Sequence, residues 1–118
     1  MSKELESFSK KVYDRFSALS PDNVSFDIIL IGLICSVIID IIKIIYMIYF
    51  TKDTEKVYNY MKSPKGLLRL FMARQIKRRI PNLSRSQRDM VLVAIINEVR
   101  AYGYDEFKTL VSSIEKEQ

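Results

Sequence analysis

The stretch IILIGLICSVIIDIIKIIYMIYF, from Ile28 to Phe50, decides the fold. Nineteen of its 23 positions are apolar, eleven of them isoleucine, and only Gly32, Ser36, Asp40 and Lys43 interrupt it. A helix of this length rises roughly 35 Å, against about 30 Å for a bilayer hydrocarbon core. Isoleucine also favours strands, but no Asn-Gly or Pro-Gly pair divides the run and Gly32 stands alone, so one long helix is the reading. The 27 residues before it hold five acids and no small-residue cleavage pattern follows, so it reads as a retained anchor helix rather than a secretory signal.

Upstream, Leu5, Phe8, Val12, Phe16 and Leu19 recur at spacings of three and four, which predicts an amphipathic helix over residues 3–19, lying on a membrane surface or against the protein. Ser20, Pro21, Asp22 and Asn23 then turn the chain. Downstream, the Thr51 to Thr54 stretch caps a short helix carrying Val57, Tyr58 and Met61, stopped at Ser63-Pro64-Lys65-Gly66. A second helix carries Leu67, Leu68, Phe71, Met72, Ile76 and Ile80 on its apolar face and ends at Pro81. Ser84 and Gln87 fit a capping box that starts a third helix, running to Tyr102 with Gly103 as its left-handed end. Phe107, Leu110, Val111 and Ile114 make a short closing helix. The expected fold is all-α: residues 1–27 as amphipathic helix and turn, 28–50 as a probable transmembrane helix, and 51–118 as a small basic helical module.

The 118 residues suit one domain, or a small domain with appendages. There is no histidine and a single cysteine, which removes the usual parts of a zinc site, a nucleophile-histidine triad and an imidazole proton shuttle. No enzymatic activity, cofactor or metal is therefore expected, and Cys35 reads as a small apolar filler.

The four interruptions of the apolar run follow spacings of four, four and three, so they share one helical face. Small residues at Gly32 and Ser36 let another backbone approach, which makes Gly32, Ser36, Asp40 and Lys43 a candidate helix-packing seam toward a second copy or another helical protein. A charge in hydrocarbon costs about 2.5 to 3.5 kcal/mol, so Asp40 needs a partner, and Lys43 at i+3 offers one.

Charge is concentrated downstream of the anchor. Ten cations and no acid lie between Lys56 and Arg88, while the rest of the chain holds nine cations against fourteen acids. Lys62, Lys65, Arg69, Arg74, Lys77, Arg78, Arg79, Arg85 and Arg88 are the candidate binding set for an acidic partner, with nonspecific nucleic acid or anionic lipid as alternatives. Positive-inside bias places this module on the cytoplasmic or particle-interior side, and Tyr46, Tyr49, Phe50, Tyr58 and Tyr60 would form an interfacial belt. The helix pair around Pro81 has helix-turn-helix proportions, but the seven apolar residues Met90 to Ile96 must be buried rather than offered to a groove.

Together these features predict a non-enzymatic structural or adaptor protein, anchored in a membrane or large assembly by residues 28–50 and holding an acidic partner by its basic face. A minor structural protein of a virus particle fits that description. The alternatives are a soluble helical subunit of a large complex, with residues 28–50 buried among neighbours, and a small ion-conducting oligomer built on Asp40 and Lys43.

Overall fold

Helices begin and end where side chains or special backbone conformations satisfy the unpaired peptide groups of a terminal turn. The computed structural model describes residues 2–19 and 27–117, and in it five helices follow one another. They are α1 (Lys3–Leu19), α2 (Asp27–Tyr49), α3 (Thr54–Lys62), α4 (Leu67–Arg79) and α5 (Arg85–Lys116), with no strand among the described residues. The turn expected at Ser20 to Asn23 lies outside the described residues. Asp53 caps α3, its carboxylate accepting from the backbone N–H of Glu55 at 3.0 Å and of Lys56 at 3.4 Å. The capping box of α5 is complete: Ser84 Oγ accepts from the Gln87 N–H at 3.2 Å, and Gln87 Oε1 accepts from the Ser84 N–H at 3.0 Å.

The end expected at Gly103 is present as a break inside α5. Gly103 has φ 74° and ψ 171°, and helical geometry resumes beyond it, so that Phe107, Leu110, Val111 and Ile114 reach the core. A similar left-handed residue ends α2, but there it is Phe50, with φ 48° and its side chain 94% exposed.

The long apolar helix buries one side of itself in the bundle and leaves the other partly exposed. Leu30, Ile34, Cys35, Val37, Ile38 and Ile41, with Ile42 and Ile45 a turn later, are all buried within the chain. α1 packs on one part of this surface and α4 on another, while α3 touches it and α5 closes over α1, α3 and α4. Each such side chain contributes about 1.5 to 3 kcal/mol when fully removed from water. Leu5, Phe8, Val12 and Phe16 of α1 point into the same core, which settles the side on which that amphipathic helix packs: it lies against the protein. Leu19, expected on that face, stands 53% exposed instead, one turn beyond the last residue that the bundle covers. A single apolar cluster draws on all five helices, and the radius of gyration is 13.2 Å, matching the roughly 13.5 Å of a compact chain of this length.

Polar links fix the helices around this core. Arg15 on α1 donates through Nε to Glu98 Oε2 on α5 at 2.7 Å, pairing a carboxylate that is otherwise buried. Cys35 Sγ donates to Ser9 Oγ at 3.1 Å, and burial pushes the thiol pKa up, in keeping with a filler role. Tyr46 near the end of α2 donates to Glu115 Oε1 near the end of α5 at 2.7 Å. Burial first, then the Glu115 carboxylate, holds this phenol well above its ordinary pKa. An unfolded phenol loses its proton near about pH 10 while this one keeps it, so folding stability falls as pH rises above about 10. Absorbance titration of the seven tyrosines should accordingly show a late-ionising phenol that Tyr46→Phe removes. An unchanged late phase in that variant would assign it to another residue.

Candidate anionic-partner interface

α4 is built from LLRLFMARQIKRR, which contains five cations and no acid. Leu68, Met72 and Ile76 recur every four residues and face the core, and Ile80 continues the line. The apolar face is narrower than the sequence suggests: Leu67 is 66% exposed and Phe71 only half-buried, because a surface helix gripping the bundle by one edge needs only the four-residue ridge. The Arg74 guanidinium lies 5.9 Å from the centre of the Phe71 ring and shields part of it.

Of the nine cations expected to bind a partner, Lys65, Arg69, Arg74, Lys77, Arg78 and Arg85 stand exposed. The other three are engaged within the chain. The Lys62 ammonium sits 4.9 Å over the Tyr58 ring, Arg88 Nη1 donates to the Leu83 carbonyl at 3.3 Å, and Arg79 forms a two-point pair with Asp40. In that pair Nε donates to Oδ2 at 2.7 Å and Nη2 to Oδ1 at 3.2 Å, which raises the Arg79 pKa further. Arg79 thus takes the place expected of Lys43, which is exposed. The last turn of α4 runs beside α2, and the planar guanidinium fork matches both carboxylate oxygens, as an ammonium cannot.

The stripe of Gly32, Ser36, Asp40 and Lys43 lies on the least buried side of α2. Ser36 Oγ donates to the Gly32 carbonyl at 3.3 Å, and a Cβ placed on Gly32 would meet nothing within 4 Å. Among the described residues, then, no backbone closes on Gly32. Most of the expected aromatic belt is engaged in internal contacts: Tyr49 stacks on Tyr60 with ring centres 4.0 Å apart, and Tyr58 contacts Tyr104 and Phe107.

α4 and the first half of α5 run antiparallel, with Arg69 near Asn97 and Arg100, and Ala73 near Asp89. Two shallow depressions lie along this pair and share Arg69, and a third, between α5 and Leu19 at the end of α1, adjoins them at Asp89 and Val93. The sequence reading buried the whole run Met90 to Ile96. In the structure Val91, Leu92, Ala94, Ile95 and Ile96 are buried, but Val93 is 38% exposed on the outer stripe of α5, because only one side of that helix faces the core. Arg100, also unforeseen, donates through Nε to the Lys62 carbonyl at 2.7 Å. Its spacing of seven from Val93 was the available signal.

No family model, curated protein or solved structure matches this chain.

Proposed function

We propose that this chain is a non-enzymatic binding module, structural or adaptor in role, that holds an anionic partner on the basic surface between Lys62 and Arg88. The observation that carries the reading is α4, whose solvent side mixes Arg74, Lys77 and Arg78 with exposed Leu67 and Leu70 and carries no acid. A run of cations without acids repels itself unless it meets an anion.

In this reading α2 is the core of the module. Eight of its side chains are buried by the chain's own helices, and Asp40 within its apolar run is matched by Arg79. Spanning a bilayer would require α2 to leave that core and strip the apolar faces of α1 and α4, although by length and composition the helix qualifies as a span. A minor structural place in a virus particle suits a small basic module, and its support is composition alone.

The test is binding of the intact chain to three anionic probes: phosphatidylglycerol vesicles, a single-stranded oligonucleotide and polyglutamate. At least one should bind at low ionic strength and weaken steeply with salt, and the triple reversal of Arg74, Lys77 and Arg78 to Glu should weaken it by about tenfold or more. Absence of binding to all three, or equal binding by the variant, overturns the proposal.

A further inference from the structure

The two depressions between α4 and α5 make one groove, and the third continues its apolar surface past Asp89 and Val93 toward Leu19. On α5 they are lined by Ser86, Asp89, Met90, Val93, Asn97 and Arg100, a single stripe at helical spacing. Fourteen residues separate its ends, which is about 21 Å of helix. The floor is apolar: Leu92 and Ile96 lie at its base, with Ala73 beside them and Leu70 and Val93 on the slopes, 47% and 38% exposed. Leu19 of α1, 53% exposed, closes the end near Arg85. The rim carries Lys65, Arg69, Arg85 and Arg100 against one acid, Asp89.

We propose that this groove is a docking site for an acidic amphipathic helix of a partner protein, about four turns long. The proposal rests on the binding-module reading and names its partner class. Length, apolar floor and rim charge each point to that occupant. A helix laid along the groove places side chains at i, i+3, i+4 and i+7 over Leu70, Val93 and Leu19, and its flanking carboxylates meet the four cations. Nucleic acid would leave Leu70, Val93 and Leu19 facing phosphates without an apolar counterpart. Arg74, Lys77 and Arg78 of α4 are not among the residues that line these depressions.

The experiment selects binders to the intact chain from a displayed library of 16-residue helical peptides. Enriched peptides should combine Leu, Met or Phe at helical spacing with flanking Asp or Glu. Their affinity should fall by about tenfold or more for Val93→Glu and for Leu70→Glu, each checked for an unchanged melting temperature, and also for the pair Arg69→Glu and Arg85→Glu. If one groove variant fails to fold, the other and the rim pair still decide the matter. Failure to enrich any such peptide, or binders indifferent to these substitutions, overturns the groove proposal. So does loss of vesicle or oligonucleotide binding, or of self-association in sedimentation, as the main effect of Val93→Glu. The Arg74, Lys77 and Arg78 reversal, read with the anionic probes, reports on the broader reading separately.

Discussion

Replacing Ile38 by Ala is expected to lower folding stability by about 2 to 5 kcal/mol, while Ile29→Ala should change it by no more than about 0.5 kcal/mol. The two isoleucines sit nine residues apart on one helix and differ only in surroundings: Ile38 is fully buried and Ile29 is 62% exposed. Against a total of about 5 to 15 kcal/mol for a domain of this kind, the first change is a large fraction. Chemical denaturation followed by circular dichroism measures both. The contrast also separates the two environments considered for α2. In a lipid-facing helix either substitution alters insertion by roughly a few tenths to 1 kcal/mol, so similar small effects at both positions would refute the core assignment.

Gly103→Ala should cost about 1 to 3 kcal/mol. The φ and ψ at Gly103 fall in a region essentially restricted to glycine, while an added Cβ would meet nothing within 4 Å. The whole penalty is therefore backbone strain, and relieving it would rotate Phe107, Leu110, Val111 and Ile114 out of their places in the core. The matched control is Gly32→Ala, in equally open space but inside a regular helix, where the expected change is a gain of about 0.5 to 1 kcal/mol. Equal signs in the two melts would show that Gly103 does not act through its backbone conformation.

The helices were legible because their signals are local. The Leu5 to Phe16 spacing, the Ser84–Gln87 box and Gly103 each act within a few residues, and each appears where expected. What escaped was tertiary. The partner of Asp40 is 39 residues away on α4, beyond the reach of any spacing rule, so the nearby Lys43 looked like the natural choice. Val93 was hidden by its neighbours, since a continuous apolar run does not tell which single position the bundle leaves uncovered. The cations of the candidate interface could be counted from the sequence, but their sorting into exposed and internally paired groups depends on where α4 lies against α2.

The cover that α4 gives to one side of α2 also sets an order of events during synthesis. The side of α2 that α4 covers is finished at Tyr49, whereas α4 ends at Arg79, 30 residues later. At 5 to 20 residues per second a ribosome needs roughly 1.5 to 6 seconds to make that stretch, far longer than a small chain takes to collapse. Throughout that interval an isoleucine-rich surface is bare on a nascent chain. In the finished fold α4 covers that side, so until α4 has been made the chain carries a sticky apolar surface whose cover is still to come.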